Sequence, residues 1–298
     1  MTVGRFAPSP SGRMHLGNVF TALLAWLSVR SQGGKMLLRI EDLDPERSKP
    51  EFIHALREDL LLLGLDWEEE MPLQSGRAEV YETYFSKLPV YPCYCTRKEL
   101  HSARAPHSSD GTFLYEGTCR HLSPAQRAEK SRAPSWRLAL DHREISFIDG
   151  IYGLQKQIPA QACGDFILRR ADGVYAYQLA VVVDDALGGV TEVVRGRDLL
   201  DSTPRQIWLY ERLGFPVPKF IHVPLLVAPD GRRLSKREAD LDLSALLLRY
   251  SPQELTGILA YAAGLTDSPG PITPQELIHS FAWSKLPQEN ISILEYFK

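Results

Sequence analysis

The stretch 3–42 constrains the fold more than any other, because it reads as strand, glycine-containing loop, helix and strand in that order. VGRFA is a short strand and PSPSGRMHLG a turn-rich loop. NVFTALLAWLSVR is a helix in which Val19, Phe20, Leu23, Leu24, Trp26 and Leu27 recur at helical spacing. KMLLRIED returns as a second strand. A βαβ unit of this kind implies a parallel sheet, with ligands bound beyond the carboxyl ends of its strands.

A second helix, PEFIHALREDLLLLGL, carries Phe52, Ile53, Leu56, Leu60 and Leu63 on one side and stops at Gly64. From about Tyr91 to about Ala160 the chain is rich in turn residues and holds the CYC and EGTCR segments, which reads as an insertion. Beyond it, DFILRR, VYAYQLAVVVDD, TEVVRG and IHVPLLVA are near-continuous apolar runs, expected of strands covered on both faces. The last part, LDLSALLLRY, SPQELTGILAYAAGL and TPQELIHSFAW, is helical. Two of these helices begin with Ser or Thr before a Pro, followed by Glu three residues after the cap.

The reading is therefore an α/β Rossmann-type parallel sheet split in sequence by an insertion, followed by a small all-helical C-terminal domain. Its parts are 1–90 and 161–238 (the two halves of the catalytic domain), 91–160 (the insertion) and 239–298 (the helical domain). A chain of 298 residues holds about two domains by the usual prior of ~100–200 residues each. No run approaches the roughly 18 continuous apolar residues of a membrane span, and the first residues lack a signal peptide's apolar core, so a cytoplasmic protein without membrane contact is expected; a monomer is the expectation carried alongside. A net charge of -3 means that any nucleic acid must be met by local basic patches.

Two short motifs carry the chemistry. HLGN places His15 and Gly17 where a loop enters a helix, so that backbone N–H groups and a side-chain donor can meet a phosphate. RRLSKR sets four cations within six residues. Taken singly, the first is ordinarily a cap and the second a solvated turn. In this order, with strands between, they resemble the two ATP-binding signatures of class I aminoacyl-tRNA synthetases. The resemblance implies that His15 and Lys236 stabilise charge on the phosphates as a carboxylate attacks ATP, with Gly17, Asn18 and Ser235 also at the nucleotide and Mg²⁺ accompanying it. Asn18 stands where the family's strict motif has a second histidine.

RFAPSPSG, RIEDLDPER and YAYQLAVVVDD followed by GVTEVVRGRDLL narrow the resemblance to the glutamyl-tRNA synthetase family, over roughly Val3 to Arg237. Glutamate has two carboxylates and one ammonium, which call for two cationic or hydrogen-bonding clusters and one carboxylate. Arg5, Ser9 and Arg195 suit the carboxylates, Glu41 the ammonium and Tyr177 the side chain, with Phe6, Ala7 and Pro8 completing the first segment of the pocket. Arg39, Glu41 and Asp42 could instead pair with one another at a strand end. Asp184 and Asp185, closing an apolar run, are expected to orient Arg195 or ribose hydroxyls.

The resemblance is strongest to a truncated branch of the family without an anticodon-binding domain. It implies activation of L-glutamate by ATP without tRNA, then transfer to the queuosine base at the wobble position of tRNA(Asp). A minimal synthetase charging the 3′ end of tRNA(Glu) is the alternative, and a non-catalytic paralogue that senses glutamate or binds RNA is a third. In that branch one structural zinc is held by residues corresponding to Cys93, Cys95, Tyr115 and Cys119. Three thiolates in a short insertion suit zinc, whereas His101, His107 and His121 are chemically more ordinary fourth ligands than a tyrosine. Cys163 reads as a small buried residue.

Overall fold

The computed structural model describes residues 1–96, 99, 114–232 and 242–297. In chain order the elements are β1 (Val3–Phe6), α1 (Leu16–Ser31), β2 (Lys35–Leu38), α2 (Pro50–Leu62), β3 (Glu69–Glu70), α3 (Ala78–Phe85), β4 (Val90–Cys93) and α4 (Pro124–Ala128). There follow β5 (Ser135–Leu138), β6 (Ile145–Asp149), β7 (Gly153–Gln157), α5 (Pro159–Ala162), β8 (Ile167–Arg169), α6 (Tyr177–Leu187), β9 (Glu192–Gly196) and α7 (Thr203–Arg212). Last come β10 (Lys219–Val223), β11 (Leu226–Val227), α8 (Leu243–Leu246), α9 (Pro252–Ala262), α10 (Pro274–Leu277) and β12 (Ile291–Ser292).

β1, β2 and β3 pair in parallel, as do β9 and β10. The two groups meet at β1 and β9, where the Thr191 N–H donates to Val3 O at 2.9 Å and the Val3 N–H donates to Thr191 Oγ1 at 2.9 Å. The spatial order β3-β2-β1-β9-β10 thus joins strands from opposite sides of the intervening segment. Gly4 is required where α1 crosses β1, since a Cβ there would lie 2.4 Å from Val29 Cγ2.

α1 is buried nearly all round, because β1, β2 and β9 cover one side and the segment around α10 and β11 covers another. Its apolar residues share one core with Leu56 and Leu60 of α2 and with Leu255, Ile258 and Leu259 of α9. Truncating a fully buried member such as Leu24 to Ala should cost about 2–5 kcal/mol. The C-terminal segment therefore packs into the main core. It is also not all-helical: β12 pairs in parallel with β11, Leu226 opposite Ile291.

Two further expectations are corrected. VYAYQLAVVVDD was expected to be a strand and is α6. Every residue from Leu179 to Asp185 is buried, between α3, α7 and β8, so no polar face betrays the helical period. The division at residue 160 cuts through a unit as well, since β8 completes the antiparallel sheet β4-β5-β8 and belongs with the strands before it. No described helix is long and apolar enough to cross a membrane.

Candidate active site

The carboxyl ends of β1, β2 and β9, the start of α1 and the first turn of α6 surround a cavity of about 700 Å³. It is lined by Arg5, Phe6, Ala7, Pro8, Ser9, His15, Gly17, Asn18, Glu41, Tyr177 and Arg195, which gathers every described residue expected at the nucleotide and the amino acid. Ser235 and Lys236, with His101 and His107, lie outside the described residues.

The floor is a buried charge network. Asp185 accepts from Arg5 Nε at 3.2 Å, from Arg39 Nη1, and from the Tyr210 hydroxyl at 3.4 Å. Burial works against the Asp185 carboxylate, but Arg39 and Arg5 hold it below the usual carboxylate range. Arg39 Nη2 reaches Glu41 Oε1 at 2.9 Å, the pairing anticipated at the strand end. Burial nevertheless pushes the Glu41 carboxyl up, against the pull of Arg39. Asp42 does not join: it accepts the Ser75 N–H at 3.0 Å and the Ser75 hydroxyl.

Asp184 and Asp185 thus do other work than expected. Asp184 accepts from Gln74 Nε2 at 2.7 Å, Arg77 Nε at 2.8 Å and the Tyr81 hydroxyl at 2.8 Å, pinning α3 to α6. Asp185 braces Arg5 and Arg39. Neither is hydrogen-bonded to Arg195; the contacts of both go to these other partners.

Arg195 is 4% exposed and faces the cavity. Its guanidinium donates to His222 Nε2 at 3.0 Å, Gln206 Oε1 at 2.7 Å, Thr203 Oγ1 at 2.7 Å and Leu199 O at 3.4 Å. None of these acceptors is a carboxylate. Burial, with Arg5 nearby, lowers its proton affinity below the usual arginine value. Tyr177, in the first turn of α6, is raised by burial and by Glu41. Sequence reasoning did not find Asp198 and Leu199 in the lining, nor His222, Thr203 and Gln206 behind Arg195. The His in IHVPLLVA carries no local signal of its role.

At the start of α1, His15 is the cap residue, and its backbone N–H donates to Asn18 Oδ1 at 3.3 Å. Asn18 therefore closes the first helical turn as well as lining the cavity. Gly17 leaves room for the His15 ring, whose nearest atoms would lie 3.2 Å from a Cβ at that position. The start of α1 lines the cavity, and the N-terminal end of a helix favours an anion beside it.

Within the segment 91–160, the sulfurs of Cys93, Cys95 and Cys119 all lie within 4.8 Å of one another. Cys95 Sγ and Cys119 Sγ are 3.6 Å apart, and Tyr115 Oη lies 3.4 Å from Cys93 Sγ. A tetrahedral ion with bonds of about 2.3 Å to sulfur separates its ligands by about 3.8 Å, so the three thiols fit one metal ion. The Tyr94 N–H points at Cys119 Sγ, 3.4 Å away, and Arg137 Nε at Cys93 Sγ, 3.2 Å away, as donors to thiolates do. Burial opposes ionisation of Cys93, but the Tyr115 hydrogen bond and the Arg137 charge bring it below the usual thiol value. Burial and the Cys93 charge push Cys95 up to about 12. Gly164, at φ +67°, admits the Tyr115 backbone, since a Cβ there would lie 2.2 Å from Tyr115 O. Cys163, next to it, is buried.

A family model described as the catalytic domain of class I tRNA synthetases (E and Q) matches residues 1–256. The chain is 50% identical to glutamyl-Q tRNA(Asp) synthetase of Symbiobacterium thermophilum, covering 98% of this chain and 96% of that protein. It is 46% identical to the glutamyl-Q tRNA(Asp) synthetase of Nitratidesulfovibrio vulgaris, covering 96% and 94%. Among solved structures, glutamate-tRNA synthetase from Elizabethkingia anophelis superposes with a TM-score of 0.83 at 27% identity, covering 98% of this chain and 68% of that one.

Proposed function

This chain belongs to the class I tRNA synthetases of the glutamate and glutamine type, and from that premise we propose that it activates L-glutamate with ATP and passes it to the queuosine base of tRNA(Asp). The observation that carries the glutamate assignment is Arg195: a buried guanidinium that faces the cavity and, among the described residues, is hydrogen-bonded to neutral acceptors alone. Such a cation is costly unless an anion joins it, and Arg's planar fork suits a carboxylate. The tRNA assignment rests on the two relatives at 46–50% identity.

In this reading Arg5, Ser9 and Arg195 hold the carboxylates of glutamate, Glu41 its ammonium and Tyr177 its side chain, while Phe6, Ala7 and Pro8 form the wall beside them. The α-carboxylate attacks the α-phosphorus of ATP and expels pyrophosphate. His15 and Lys236 meet the charge that grows on the phosphate oxygens, with the α1 amides, Gly17, Asn18 and Ser235 seating the nucleotide. Mg²⁺ bound with ATP supplies further neutralisation of the phosphates. A hydroxyl on the cyclopentene ring of queuosine then attacks the glutamyl carbonyl and releases AMP. No covalent nucleophile from the protein is needed.

One zinc ion held by Cys93, Cys95 and Cys119, with Tyr115 as the fourth ligand, stiffens the segment 91–160. That segment, continued through β8, the rest of the catalytic domain on either side of it, and a C-terminal part 239–298 make up a cytoplasmic, monomeric enzyme. The test is transfer of radiolabelled glutamate, with ATP, to tRNA(Asp) with and without queuosine, in parallel with tRNA(Glu). Label confined to queuosine-containing tRNA(Asp), surviving removal of the terminal adenosine, is expected. Label on tRNA(Glu) would make the chain a minimal synthetase instead.

A further inference from the structure

Behind Arg195 lies a second buried couple that no part of the reaction above uses. His222, on β10 and fully buried, accepts the Arg195 Nε–H at Nε2, 3.0 Å away. A ring nitrogen that accepts carries no proton, so the proton sits on Nδ1, which donates to Asp149 Oδ2 at 2.6 Å. Asp149 is itself 2% exposed and fixed by the Ile151 and Tyr152 N–H groups at 3.0 Å and the His222 N–H at 3.1 Å. The three side chains come from β6, β9 and β10, and form one line of hydrogen bonds from the β6–β7 turn to the cavity.

We infer that His222, locked in its Nδ1–H tautomer by Asp149, is a positioning residue that aims the Arg195 guanidinium at the carboxylate of bound glutamate. Of the five N–H groups of Arg195, the contacts with described residues occupy four and leave one on Nη1 for a ligand. Where that N–H points depends on the plane of the guanidinium, and the Nε contact to His222 sets the plane. The neutral state of the ring is essential, because an imidazolium would present an N–H to a cation. Burial holds the ring neutral, lowering it to about 4 despite the Asp149 hydrogen bond. Phe220, 5.2 Å beneath the guanidinium and stacked 12° from the His222 ring plane, keeps both groups from tilting.

The inference rests on the glutamate reading, and the experiment separates the two. Glutamate-dependent ATP–pyrophosphate exchange is measured for the wild type, His222→Leu and His222→Gln, with KM determined separately for glutamate and ATP. ¹⁵N chemical shifts report the His222 tautomer in the wild type without any substitution. The expected result is Nδ1 protonated and Nε2 bare at neutral pH. His222→Leu should raise KM for glutamate about tenfold or more with KM for ATP within about twofold, the scale of one charge-assisted hydrogen bond, and His222→Gln, whose amide oxygen can accept from Nε, should recover part of it. An Nε2–H tautomer, an unchanged glutamate KM in a folded His222→Leu protein, or a folded His222→Gln protein no better than His222→Leu overturns the positioning role. A wild type with no glutamate-dependent exchange overturns the glutamate reading and this inference with it.

Discussion

Arg195→Lys is the sharpest perturbation of the amino-acid site, because it keeps the charge and removes the fork. In the native cavity the guanidinium spreads its donors over His222, Gln206, Thr203 and Leu199 and offers the remaining N–H to a ligand. A lysine ammonium has three donors on one nitrogen, so it can satisfy three acceptors only at a single point. Either it stays with the buried acceptors and withdraws from the ligand, or it follows the ligand and abandons them. Each choice forfeits about one charge-assisted hydrogen bond, about 1.5–3 kcal/mol. The expected outcome is a KM for glutamate raised about 10- to 150-fold, at about 1.4 kcal/mol per decade, with KM for ATP nearly unchanged. The assay is glutamate-dependent ATP–pyrophosphate exchange, with thermal unfolding as the control for folding. An Arg195→Lys protein that is folded and has an ordinary glutamate KM would refute the assignment of Arg195 to a carboxylate.

Three other outcomes are expected. Lys236→Ala should lower adenylate formation about 10²–10³-fold, the scale of losing one preorganised donor, with glutamate affinity measured by calorimetry little changed. Removing the metal by chelation, or making Cys119→Ser, should lower the melting temperature and tRNA transfer while adenylate formation persists; metal content by atomic absorption identifies the ion. Stability should fall with acid through His222. Its folded value of about 4 lies below the ordinary 6.5, so the unfolded chain binds a proton that the folded protein refuses, and stability is lost between about pH 6.5 and 4, by up to about 3 kcal/mol. Urea titrations of wild type and His222→Gln across that range check the sign, the variant being the flatter.

The elements that the sequence disclosed are those whose signals are local. The Ser251–Glu254 and Thr273–Glu276 capping boxes form as written in the chain, and the spacing of α1 and α2 marks their apolar faces. α6 was hidden because burial on every side erases the polar face that distinguishes a helix from a covered strand. The cavity residues were legible through short motifs, for His15 and Gly17 sit together at a helix start and Arg5 to Ser9 follow one another out of β1. The groups that hold them were not. Asp149 and His222 are 73 positions apart, and Asp185 and Arg5 are 180 apart, so only the fold brings them into contact. A neutral histidine within an apolar strand looks like any core residue.

The charges on the cavity floor lead to a last prediction, on the choice between glutamate and glutamine. Arg5 is paired there with Asp185, and Arg39 with Asp185 and Glu41, whereas Arg195 is hydrogen-bonded to no carboxylate among the described residues. Arg39 is matched by Asp185 and Glu41 and held above the usual arginine value, whereas Arg195 has neutral acceptors and is held below it. Glutamate brings a side-chain carboxylate to that guanidinium; glutamine brings an uncharged amide. An amide at the same place can offer its oxygen to the guanidinium but no charge, and its NH₂ would be left among donors. Glutamine should therefore compete with glutamate in the exchange assay at least about tenfold more weakly than its nearly equal size suggests. The gap should narrow in the Arg195→Leu protein, where the guanidinium is gone. Equal inhibition by the two amino acids in the wild type would mean that Arg195 does not meet the side-chain carboxylate.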